Sequence, residues 1–146
     1  TRNHACSIDA GKKINGRKRH ILVDTLGLLL TVVVTVASVQ DRDGARLLLR
    51  HLPGSCKKLK KIWVDGGYSG RLVGWVTERF KFCLTVVLRP RENKKFVLLP
   101  RRWVVERTFG WLNHSRRLSK SYERFKRTDE TWVYIAMIRI MLRRLA

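Results

Sequence analysis

Three runs stand in succession near the start of the chain: Arg19-His-Ile-Leu-Val-Asp24, Thr25-Leu-Gly27 and Leu28-Leu-Leu-Thr-Val-Val-Val-Thr-Val36. Two stretches of β-branched and aliphatic residues flank an Asp and a Gly, which is the composition of a β-hairpin. The second stretch lacks polar alternation, so its strand is expected to be buried on both faces. Such a strand needs other elements above and below it, and the rest of the chain supplies them. Asp41 to Leu52 reads as a helix with acids in its first turn, ended by Pro53-Gly54. Ile62-Trp-Val64 reads as a short strand that stops at Asp65-Gly66-Gly67. A helix is expected over Arg71 to Phe80, a buried strand over Phe82 to Leu88, and a charged loop over Pro90 to Lys95. Arg101 to Asn113 is a helix candidate with Val105, Phe109 and Leu112 on one face, followed by a basic, polar stretch. The last helix runs from Asp129 to Leu145. Asp129 and Glu130 start it and Arg139, Arg143 and Arg144 end it, which suits the helix dipole. Its middle is apolar nearly all round, so it should be buried or pack against a partner. This order of elements is an α/β pattern with a mixed sheet in one domain of 146 residues.

Charge sets the class of partner. The chain carries 32 Lys plus Arg against 11 Asp plus Glu, a net charge of +21, with 45% hydrophobic residues. The hydrophobic share excludes a disordered basic tail. The surplus calls for a polyanion, and Arg in excess of Lys suits bidentate contact with phosphate. The longest apolar run, Leu26 to Ala37, has 12 residues, short of the roughly 18 that cross a membrane. Cys6, Cys56 and Cys83 form neither a disulfide framework nor a CxxC pair, which fits a reducing, cytoplasmic setting. His4, His20, His51 and His114 show no metal-ligand spacing. Thr1 rather than Met stands first, so the chain reads as a processed protein or part of a longer one.

With so few acids, their placement is informative. Asp24 fits a hairpin turn, Asp41 and Asp43 a helix start, and Glu92 a charged loop. Asp65 ends a strand before two glycines. It is either a turn Asp or a group beside a ligand at the carboxyl end of a strand, where α/β sheets bind. Glu106 sits inside a helix with Gly110 one turn later, which leaves space on that face. It either pairs with Arg102 on the helix surface or faces a ligand. Together, a strand-end Asp and a helix Glu offer the hard oxygens that Mg²⁺ takes alongside water and phosphate. Trp103, Trp111 and Cys83 are expected in the core.

Four ordered motifs resemble bacterial insertion-sequence transposases of the DDE type. They are Asp9-Ala-Gly-Lys-Lys-Ile-Asn-Gly-Arg-Lys-Arg-His-Ile-Leu-Val-Asp-Thr-Leu-Gly27, Val39-Gln-Asp-Arg-Asp-Gly-Ala45, Trp63-Val-Asp-Gly-Gly-Tyr-Ser-Gly70 and Pro100-Arg-Arg-Trp-Val-Val-Glu-Arg-Thr-Phe-Gly-Trp-Leu-Asn113. The tail Ile135 to Arg144 extends the likeness over nearly the whole chain. The resemblance implies a ribonuclease-H-like fold and an Asp, Asp, Glu triad that holds Mg²⁺ or Mn²⁺ and cuts and joins double-stranded DNA at transposon ends and target. Asp65 matches the second Asp and Glu106 the Glu. Within the family's Tyr-x2-Arg-x3-Glu-x6-Lys signature, Arg102 and Glu106 agree, while Leu99 and Asn113 depart. The family's first Asp lies on a strand upstream of the segment that matches Asp9 to His20. Residues 1–146 are therefore expected to be the C-terminal part of the catalytic domain, inactive alone, with Asp9 and Asp24 the nearby acids. DNA contacts are expected from Lys12, Lys13, Arg17, Lys18, Arg19, Arg102, Arg116 and Arg117, without membrane association and with a homodimer on DNA as the family pattern. Two other readings compete: a non-catalytic DNA-binding remnant of such an enzyme, and a basic RNA-binding protein.

Overall fold

The computed structural model describes residues 7–9, 14–88, 101 and 103–146. The hairpin forms as its composition requires. Strands β2 (Ile14–Val23) and β3 (Leu29–Val36) pair antiparallel, from Arg17 opposite Val36 to Val23 opposite Leu29. A short strand, β1 (Ser7–Asp9), pairs with the start of β2, Ser7 opposite Gly16. Asp24 closes the turn, its Oδ1 accepting from the backbone N–H of Leu26 at 2.9 Å and of Leu28 at 2.8 Å. Gly27 takes φ +85°, where a Cβ would stand 2.8 Å from the Thr108 hydroxyl. Thr31 to Thr35 are all buried, so β3 is covered on both faces.

Helix α1 (Asp41–Arg50) packs on this hairpin. Gly44 is where they meet, since a Cβ there would run into the buried His20 ring. Strand β4 (Lys61–Asp65), helix α2 (Arg71–Arg79) and strand β5 (Cys83–Val87) follow, with β4 and β5 parallel. Strand β5 is only partly covered: Leu84 is buried and Cys83 is exposed, so neither the buried strand nor the core Cys83 expected above is found. Helix α3 (Trp103–Asn113) buries Val104, Thr108 and Leu112; of the face expected from hydropathy, Leu112 is buried, Phe109 is half-buried against the core and Val105 is exposed. Thr108 enters the core because its hydroxyl is satisfied, donating to Gly27 O at 2.8 Å and Val104 O at 3.0 Å. Trp103 and Trp111 lie outside the core. Trp103 is exposed, and Arg107 stacks on both rings at 4.3 and 4.7 Å.

Helix α4 (Lys126–Leu145) begins one turn before the acids expected to start it. Those acids reach across to the hairpin. Asp129 is 1% exposed and holds Arg19, while Glu130 Oε1 accepts from Val34 N at 2.8 Å. One face of α4, with Val133, Ala136 and Met137, joins Val32, Leu112 and Leu118 in a first core. Its opposite face leaves Tyr134, Ile135, Ile138, Met141 and Leu142 exposed. A second core gathers Leu49, Ile62, Leu72, Val76, Phe82 and Leu84. Ile21 packs on the first core and Leu22 on the second, as alternation along β2 demands.

The architecture is mixed α/β. Among the described residues the sheet is not continuous: the β1-β2-β3 ladder and the β4-β5 ladder share no strand. Among the described residues a cleft lies between the two ladders.

Candidate functional site

That cleft has a volume of about 780 Å³. Every residue from Arg17 to Asp24 and every residue of β4 lines it. A strand presents alternate residues on a face, so consecutive residues mean that the cleft runs along strand edges. Ala45, Leu48 and Leu49 of α1 also line it, as do Val104, Val105 and Phe109 of α3.

Asp65 and Glu106 both line this cleft. The strand-end Asp and the helix Glu singled out by position are therefore neighbours of one space. Asp65 is extended (φ −78°, ψ 176°), and its Oδ1 accepts from Gly67 N at 3.0 Å, capping the short turn Gly66–Tyr68. Asp65 thus caps a turn and also lines the cleft. Arg42 Nε donates to Gly67 O at 3.0 Å and ties this turn to α1. Glu106 is exposed, and a Cβ at Gly110 would meet nothing within 4 Å, so the space expected on that face of α3 is present.

Two further acids line the cleft. Asp24 closes the hairpin turn, and Asp41 pairs with Lys18 Nζ at 3.4 Å. Tyr68 stands between elements here. Burial pushes its hydroxyl pKa up to about 12, and the Asp41 and Asp65 carboxylates reinforce the shift. Asp41 was assigned from sequence to a helix start, which it also is; its position on the cleft depends on the packing of α1 and left no local signal. Among the described residues no three His, Cys, Asp or Glu side chains form a group able to hold a metal ion.

The basic candidates divide. Arg19 donates through Nε to Asp129 Oδ1 at 3.0 Å, with Nη2 in ion-pair contact with the same oxygen at 2.9 Å, and through Nη1 to Leu118 O at 2.7 Å. Arg17 Nη2 donates to Arg124 O at 2.6 Å, and its side chain is 6% exposed. These two arginines join β2 to α4 and the segment before it. Lys18 lines the cleft and donates to Val39 O at 3.0 Å. Arg117 pairs with Glu123 and stacks on Trp132, while Arg116 is exposed. Lys12, Lys13 and Arg102 lie outside the described residues, as does the Pro90 to Lys95 loop. Sequence reading passed over Arg101, whose guanidinium stacks on Trp63 at 4.4 Å within the same cleft.

The profile of the Transposase DDE domain family matches residues 2–141. The chain belongs to the DDE transposase family. Among curated proteins it is similar to a "Putative transposase for insertion sequence element IS402" of Burkholderia cepacia, with 30% identity over 122 residues. That alignment covers 75% of this chain and 54% of the relative, so this DDE transposase chain spans about half of the relative's length. No solved structure matches it. Among the described residues no helix is long and apolar enough to cross a membrane.

Proposed function

We propose that the chain is a ribonuclease-H-like catalytic portion of an insertion-sequence transposase, acting on double-stranded DNA at transposon ends. The observation that carries this reading is the shared cleft: Asp65 and Glu106, the two acids matched to the family's triad, line one space between two sheet edges. Family membership alone would not require that.

The cleft also supports the fold reading. An additional strand laid along the edges of β2 and β4 would join the two ladders into one sheet, with α1 on one side and α3 on the other. A carboxylate on such a strand would be the third member of the triad. The donor set fits Mg²⁺ or Mn²⁺. Two hard carboxylate oxygens from different elements suit an ion that keeps several waters and takes phosphate oxygen as a further ligand. Asp65 and Glu106 would hold it. When bound, such an ion lowers the pKa of an attacking hydroxyl and stabilises charge on the phosphodiester oxygens. The chain's own contribution is to orient. Gly67 N–H fixes Asp65 Oδ1, and the first core fixes α3 and with it Glu106. The DNA backbone is neutralised by exposed cations near the cleft such as Lys61, and by Arg116, while Arg17 and Arg19 act through the fold.

One observation favours a second reading, DNA binding without cleavage. The described residues bring no three-carboxylate group together. Strand cleavage of end-bearing DNA in Mg²⁺ or Mn²⁺ separates the two. Cleavage that Asp65→Ala removes supports the first reading. Cleavage that Asp65→Ala leaves intact overturns it, and salt-sensitive DNA binding with no Mn²⁺ binding selects the second.

A further inference from the structure

Among the described residues six arginines lie over tryptophan rings, Arg46, Arg50, Arg101, Arg107, Arg117 and Arg144, and three of them are also bound elsewhere. Arg107, between Trp103 and Trp111, donates to Leu26 O at 2.9 Å. Arg117, over Trp132, is paired with Glu123. Arg46, over Trp75, is paired with Asp43 at 3.3 Å. These stacks belong to the framework.

Arg101 differs in three respects. It lines the cleft that contains Asp65 and Glu106. Its guanidinium lies 4.4 Å from the centre of the Trp63 ring, and among the described residues no carboxylate or carbonyl takes any of its N–H groups. Its backbone has φ 65°, the left-handed region that a glycine enters freely and an arginine does not. Such conformations persist where the surroundings hold them, and they concentrate at ligand clamps. Trp63 is itself 39% exposed, beside Asp65 on β4. Contact with its ring restrains the guanidinium while leaving its N–H groups without a partner among the described residues. An oriented planar fork with five donors matches the paired oxygens of a phosphodiester.

We infer that Arg101, held against the Trp63 ring, grips a DNA backbone phosphate next to the Asp65 and Glu106 carboxylates. The inference rests on the transposase reading, because it takes the strand in this cleft to be DNA. Arg101 is the contact residue and Trp63 a positioning residue.

The test is equilibrium binding of the full chain to a duplex of about 20 base pairs, repeated over a range of KCl concentrations. Each phosphate contact contributes about 0.9 to the slope of log affinity against log salt. Arg101→Gly removes the contact and also relieves the left-handed backbone, so its thermal stability should not fall. Its slope should be shallower by about 0.9 and its affinity about five- to tenfold weaker at low salt. Arg101→Lys should keep the slope. Trp63→Leu should keep the slope and weaken binding about threefold. An Arg101→Gly slope equal to wild type overturns the contact. Trp63→Leu affinity equal to wild type overturns the positioning role. If the wild-type chain shows no salt-dependent binding, the DNA reading itself fails, which is a different outcome from either of these.

Discussion

Replacing Asp129 by Asn should destabilise the fold severely. Asp129 is 1% exposed, and its Oδ1 accepts from Arg19 Nε at 3.0 Å and lies 2.9 Å from the paired Arg19 Nη2. Its Oδ2 lies 3.9 Å from Arg17 Nη1, and both of those atoms are buried without a hydrogen-bond partner. The neutral amide would leave two guanidiniums facing a group that carries no charge and presents donors. Breaking a buried ion pair from one side costs about 3–5 kcal/mol. Arg19 is about a fifth exposed and can recruit water, which places the loss near the lower limit, about 3 kcal/mol. At about 2–4 °C per kcal/mol for a domain of this size, Tm should fall by about 6–12 °C. Thermal unfolding followed by circular dichroism measures this directly. A fall of less than about 2 °C would refute the reasoning. A second arm asks whether these arginines touch DNA. The double variant Asp129→Leu, Arg19→Met exchanges the pair for apolar contact and should recover part of the stability, since Arg17 Nη1 stays buried without a hydrogen-bond partner. Its salt slope for DNA should equal that of wild type; a slope shallower by about 0.9 would mean that Arg19 contacts phosphate after all.

Other substitutions test the packing. Gly44→Ala would gain up to about 1 kcal/mol of helix propensity, but its Cβ collides with the His20 ring, so a net loss of about 1–2 kcal/mol is expected in urea unfolding. Gly110→Ala meets nothing, and should raise stability by about 0.5–1 kcal/mol in the same assay. His20 sets an acid limit. Burial lowers its pKa below the ordinary 6.5, so the folded state keeps the ring neutral, bonded to Thr35 Oγ1 at 2.9 Å. The unfolded chain binds the proton first, so this contribution to stability is complete above 6.5 and is lost as pH falls below it. Unfolding midpoints should therefore drop on acidification, and a His20→Gln chain should show a smaller drop over that window.

The elements that were legible in the sequence are those whose signals are local. The hairpin turn is written in Asp24 and Gly27, and α1 and the β4-α2-β5 run are bounded by their own Gly and Pro. Position alone singled out Asp65 and Glu106, because each breaks its surroundings: an acid before two glycines, and an acid among aromatics. What stayed hidden depends on residues far apart in the chain. Asp129 reads as an ordinary helix-start acid, since its partner Arg19 lies 110 positions away. Thr108 reads as surface until Gly27 O is placed over it. The gap between β2 and β4 has no sequence signature, because each strand is complete in itself and only tertiary packing sets their separation. Arg101 had no signal beyond charge, in a chain with many other arginines.

The proposed function requires Asp65 and Glu106 to act as one site for a divalent cation. Mn²⁺ binding to the full chain, followed by electron paramagnetic resonance of the free ion, tests it most directly. Wild type should remove Mn²⁺ from solution, and Asp65→Ala and Glu106→Gln should each lower that affinity by about tenfold or more. Undiminished Mn²⁺ binding by either variant would contradict the account.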